Sequence, residues 1–132
     1  MRKKFLLMLL FTSASAYADW VKIDAPAGSL SEKFINTDTI RQSGPMNTMR
    51  RIWELSNLVN SSTINIASIK QYVEYDCKDR RSRVIEESSF SKHWAEGENL
   101  TVAANDMKPG NWSAIGLGGV HETIFNRVCP NG

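Results

Sequence analysis

Three sets of residues in this chain have chemistry to offer. Cys77 and Cys129 are its only cysteines, and His93 and His121 are its only histidines. Arg80, Arg81 and Arg83, with Lys78 before them, form its densest basic cluster. A zinc site needs three or four converging ligands. Two histidines do not supply them if the cysteines pair with each other, so neither a metal nor another cofactor is expected. No G-x-S-x-G or comparable context surrounds a serine, and no catalytic residue is assigned. A general base at His93 or His121 is the enzyme alternative. Guanidinium groups pair bidentately with sulfate, phosphate and carboxylate. Arg80, Arg81 and Arg83 are therefore the candidate partner-binding contacts, for a sulfated glycan, a lipopolysaccharide phosphate or an acidic protein. The competing reading is a solvated turn balanced by Asp76, Asp79, Glu86 and Glu87. If the arginines bind a partner, neutralising them should weaken binding and leave thermal stability unchanged. Of the tryptophans, Trp53 is expected in the core and Trp94 in a polar loop.

The fate of the cysteines follows from the start of the chain. Arg2, Lys3 and Lys4 are basic, residues 5–11 are an unbroken apolar run, and Ala16-Tyr17-Ala18 is an A-x-A cleavage site. This order predicts a signal peptide over 1–18 and a mature domain over 19–132. Seven apolar residues fall far short of the roughly 20 that span a bilayer, and no transmembrane segment is expected. An exported chain passes through an oxidising compartment, so Cys77 and Cys129 are expected to form one structural disulfide. A redox pair would more commonly be spaced C-x-x-C. The 16 basic residues, less three in the signal, leave 13 against 14 acidic, a net charge of −1. A nucleic-acid binder would keep a basic excess.

Short strands followed by one terminal helix would position these residues. Strands are expected at 20–23, 33–36, 46–58, 66–77 and 83–91, with a short one at 100–103. Thr37 to Arg41 reads as a tight corner, Ser43-Gly44-Pro45 as a turn, and Asp79-Arg80 as the turn of an antiparallel hairpin. Val120, Ile124, Phe125, Val128 and Cys129 share one face of a helix that Pro130 stops. Glu122 and Arg127 complement its dipole. So short a helix needs tertiary support, which a Cys77–Cys129 bond would give. Exposed sheet edges offer a route to a homodimer by strand pairing.

Three stretches carry a family resemblance. They are Phe34-Ile35-Asn36-Thr37-Asp38-Thr39-Ile40-Arg41, Tyr75-Asp76-Cys77-Lys78-Asp79-Arg80-Arg81-Ser82-Arg83, and the closing segment with Trp112 and residues 120–129. Together they resemble the surface-adhesin protein E-like domains of Gram-negative bacteria, along nearly the whole mature chain. The resemblance implies an α+β fold, an antiparallel β-sheet of about six strands with one C-terminal α-helix packed on it and tied by the disulfide. It also implies a non-enzymatic envelope protein that recognises a protein or glycan partner. The family's namesake is a lipid-anchored adhesin for host matrix proteins, and this chain's signal lacks a lipidation cysteine. The expected location is therefore the periplasm first, then the cell surface or outside. The alternative function is a periplasmic inhibitor or accessory protein acting on an envelope enzyme or protein.

Overall fold

The computed structural model describes residues 19–59, 65–101 and 108–130. The expected signal peptide lies outside them. Strands β1 (Val21–Ile23), β2 (Ser31–Ser43), β3 (Met49–Leu58), β4 (Ser68–Asp76), β5 (Arg81–Lys92) and β6 (Glu96–Asn99) form one antiparallel sheet in chain order. A two-residue strand, β7 (Ser113–Ala114), pairs with Arg81 and Ser82 of β5. Helix α1 (Val120–Val128) closes the fold. The architecture is that expected, with β7 as a seventh strand.

Tight turns set the β2–β3 and β4–β5 pairings, because strands joined by a few residues must run antiparallel. Between β2 and β3 the chain turns through Gly44 at φ +74, followed by Met46 and Asn47 near φ +55. A side chain at Gly44 would bring its Cβ within 2.7 Å of the Met49 sulfur, so only glycine fits. Between β4 and β5 the Asp76 carboxylate accepts the backbone N–H groups of Lys78 and Asp79, each at 3.1 Å. This Asx-type turn carries Arg80 at φ +47.

Alternation along β4 sends Val73 and Tyr75 to one face and Glu74 and Asp76 to the other. The first face meets α1. Ile23, Ile35, Ile52, Val73 and Tyr75 pack there against Ile115, Ile124, Phe125, Val128 and Cys129. Glu122 in the first turn and Arg127 in the last favour the helix dipole. The Cys129 N–H bonds the Phe125 carbonyl at 2.8 Å, closing the helix just before Pro130.

Three expectations change. The corner at 37–41 does not end a strand. Asn36 Oδ1 accepts the Asp38 N–H and the Asn36 carbonyl accepts the Thr39 hydroxyl. These local bonds hold the extra residues as a bulge between the Asn36–Trp53 and Arg41–Arg51 pairs, and β2 runs on to Ser43. The third strand starts at Met49, because the chain is still turning at 46–47. The late short strand is Glu96–Asn99, before the expected position; Leu100 and Thr101 are outside it, and Val102 and Ala103 lie outside the described residues. This edge strand is wholly exposed, so backbone pairing to β5 forms it without any apolar signal in its sequence.

Candidate functional site

Cys77 and Cys129 are bonded, with their Cα atoms 5.5 Å apart and a separation of 52 positions along the chain. The bond ties the end of α1 to the β4–β5 turn. Cys129 is buried in the core and Cys77 packs against it.

The arginine cluster divides at that turn. Arg80 leaves toward α1, its guanidinium 4.7 Å from the Phe125 ring centre and 3.3 Å from the Glu122 carboxylate. Arg81 and Arg83 lie on the opposite face of the sheet. There the register places Glu74 between Arg51 on β3 and Arg83 on β5, and Asp76 beside Arg81. Arg51 Nε reaches Glu74 Oε2 at 2.7 Å, where Ser43 also donates at 3.0 Å. Arg83 binds Glu74 Oε1 through Nε at 3.0 Å and through a terminal nitrogen at 2.8 Å. Arg81 Nε reaches Asp76 Oδ2 at 2.9 Å. Trp112 lies against both arginines, 4.6 Å from Arg81 and 4.5 Å from Arg83. The chain enters β7 directly after Trp112, which brings the ring to the edge of β5.

Both carboxylates are buried, at 1% and 2% exposure. Burial alone would raise the Glu74 carboxyl. The hydrogen bonds from Arg51, Arg83 and Ser43 together outweigh it and hold the group below its ordinary value. Burial likewise opposes ionisation of Asp76, and the Asp79 N–H, Arg81 and the Lys78 N–H overcome it. Arg81 and Arg83 are thus bound to buried charges rather than free in a solvated turn. Removing either would take charge-assisted hydrogen bonds from a buried carboxylate, so their neutralisation is expected to cost stability.

Next to this ladder, Trp53 stacks on its cross-strand partner Tyr72 with ring centres 4.8 Å apart. The Lys70 ammonium sits 4.6 Å from the Trp53 ring. Trp53 is half-buried and absent from the helix-side core, contrary to expectation. Its odd-numbered parity with Arg51 places it on the ionic face. Trp94 is also half-buried, 4.6 Å from Phe34. It and Ala95 adopt left-handed backbone angles that are unusual for side-chain-bearing residues. Asn57 and Ser68 side chains accept their N–H groups at 2.9 and 3.0 Å and hold them there.

The histidines stay apart. His93 Nε2 lies 3.0 Å from the Leu58 carbonyl at one end of the sheet. His121 is exposed in the first turn of α1. Among the described residues no group of three or more potential ligands could hold a metal ion, and no helix is long and apolar enough to cross a membrane. On the helix side, buried Glu54 accepts the Tyr75 hydroxyl and lies 2.8 Å from the Lys33 ammonium. Burial, with the Glu54 charge beside it, pushes the Tyr75 hydroxyl far up from its ordinary value, so it stays a donor.

Sequence reasoning missed Arg51, Glu74, Asp76 and Trp112 as one unit. The available signal was acidic residues alternating with apolar ones in β4, flanked by strands carrying arginine. Only the register turns that pattern into pairs.

Comparison with known proteins agrees with the fold. Crystal form II of Haemophilus influenzae protein E superposes with a TM-score of 0.64 at 12% identity, covering 86% of this chain and 89% of that one. Protein E from non-typeable Haemophilus influenzae gives a TM-score of 0.56 at 13% identity, over 83% of this chain and 76% of that one. No curated protein sequence matches the chain. The family model described as surface-adhesin protein E matches residues 20–130. The chain therefore belongs to the surface-adhesin protein E family of small exported bacterial envelope proteins.

Proposed function

We propose that this protein is a non-enzymatic binding module of the bacterial envelope that recognises a protein or glycan partner through the sheet face opposite the helix. One observation carries the reading: half-exposed aromatic and cationic side chains are held in place there by interactions within the sheet. Trp53, Tyr72 and Lys70 stack together. Arg81, Arg83 and Trp112 lie at the β5 edge, with Glu74 and Asp76 beneath them. Tryptophan, tyrosine and arginine dominate binding hot spots. Side chains already fixed lose little further entropy on binding. Within the arginine cluster, Arg81 and Arg83 belong to this face, and Arg80 does not.

The periplasm is the first location in this reading, with the cell surface next. Protease treatment of intact and of outer-membrane-permeabilised cells separates them. Digestion on intact cells supports an adhesin that meets external partners. Protection until permeabilisation supports the second reading, an inhibitor or accessory protein for an envelope enzyme or protein. The face itself is tested with a Lys70→Glu, Tyr72→Ala double variant against immobilised heparin and immobilised matrix proteins. Neither side chain supports a buried charge, so the fold should survive. Loss of binding with an unchanged melting temperature is expected; unchanged binding would exclude this face.

A further inference from the structure

A cavity of about 240 Å³ lies on the helix side of β3–β5, beneath segment 111–116 and beside the first turn of α1. Val73, Val84 and Ile115 give it apolar walls. Ser82, Asn111, Ser113 and His121 also line it, and their side chains make no hydrogen bond among the described residues. Each of these four groups can both donate and accept. Gln71, Glu54 and Arg83 line it too: the Glu54 charge is matched by Lys33 at 2.8 Å and one of its oxygens is bonded by Tyr75, the other, Oε2, accepting no hydrogen bond among the described residues, and the Arg83 charge is matched by Glu74 at 2.8 Å.

This combination selects against a charged ligand. A further ion would meet only charges that are already paired, Glu54 with Lys33 and Arg83 with Glu74, and would lose hydration without finding a free counter-charge. It selects for a neutral molecule that has an apolar face and many hydroxyl groups. Apolar walls with a few convergent polar groups are the usual make-up of a small-ligand site. We propose that this cavity binds one neutral sugar ring, its C–H face on Val73, Val84 and Ile115 and its hydroxyls on Ser82, Asn111, Ser113 and His121. The site lies on the other side of the sheet from the face assigned above and is independent of it.

The test is a titration of ¹⁵N-labelled protein with glucose, galactose, mannose and N-acetylglucosamine. Glucosamine and glucuronate serve as cationic and anionic controls of the same ring size. At least one neutral sugar should shift the backbone amides of Ser82, Ser113, Ile115 and His121, and the charged forms should bind more weakly. Asn111→Ala and His121→Ala should each weaken binding about tenfold, the scale of a lost hydrogen bond in a partly buried site, with melting temperatures unchanged. The Lys70→Glu, Tyr72→Ala protein should bind the sugar normally, which separates this site from the opposite face. The proposal is overturned if no neutral sugar moves these amides, if a charged form binds as tightly, or if both single variants bind like the parent.

Discussion

The two faces of this sheet are held by different physics. On the helix side, apolar side chains from β1 to β4 meet α1, and a disulfide fastens the helix end. On the other side no α-helix among the described residues is laid over the strands. Beside the buried pair Phe34 and Leu55 under Trp94, order there comes from buried carboxylates gripped by arginines and from rings stacked on cations. Apolar packing is non-directional and tolerates small shifts. The ionic face needs exact register, since a slip of one residue would turn Glu74 and Asp76 toward Phe125 and Ile124. The strand β4 therefore serves two cores at once, one apolar and one ionic.

The comparison can be broken most severely at the disulfide. A Cys77→Ser, Cys129→Ser protein loses the closure of a 52-residue loop, worth about 4 kcal/mol on the chain-entropy scale. Denaturant unfolding should show that loss, with α1 the first element to lose amide protection. A change below about 1 kcal/mol would mean that apolar packing alone holds the helix.

Arg83→Gln is next. It removes two of the four hydrogen bonds that described residues make to the Glu74 carboxylate and leaves those from Arg51 and Ser43. A destabilisation of about 2 kcal/mol is expected, the scale of hydrogen bonds to a buried charge. The same variant tests the pH response. Glu74 and Asp76 have folded values below their unfolded ones. Their stabilisation is complete above the ordinary carboxylate values, 4.5 and 3.8, and is lost as pH falls through the lower folded values. The parent should hold through mild acid and unfold at lower pH, and Arg83→Gln should unfold at a higher pH than the parent. Coincident acid transitions would show that the ladder contributes nothing.

Trp112→Ala sharpens the comparison further, because it removes the ring and leaves every ion pair. A loss of about 1–2 kcal/mol is expected from two cation–ring contacts at partial exposure. The smallest effect belongs to Arg80→Ala, expected within about 1 kcal/mol because its pair with Glu122 is exposed at 3.3 Å. If Arg80→Ala proved as damaging as Arg83→Gln in the same melts, the division of the cluster between faces would be wrong.

Much of this fold is legible in the sequence. The alternation at Val73, Tyr75 and Cys77 gives β4 its helix-side face, and the Ser43-Gly44-Pro45 turn marks the β2–β3 hairpin. The 3.6-residue spacing of Val120, Ile124 and Val128 gives α1. These are local periodic signals, and local signals survive without tertiary context. The bulge at 37–40 was less legible, since the hydrogen bonds of Asn36 and Thr39 are those of a corner until β3 pairs on both sides of it. Trp53 was misplaced because β3 buries residues on both faces, so an apolar ring there carries no sign of which face it takes.

The sequence by itself determined a run of short strands, the hairpin after β4, the terminal helix and the pairing of two cysteines, because each depends on short-range periodicity, on turn residues or on there being only two thiols. Only the tertiary structure decided what the arginines do. Arg80, Arg81 and Arg83 look alike along the chain, yet a left-handed backbone at Arg80 and the pleat of β5 send them to different sides of the sheet. Their partners, Glu122, Asp76 and Glu74, are chosen by cross-strand register and helix placement. Neither is written in any one segment.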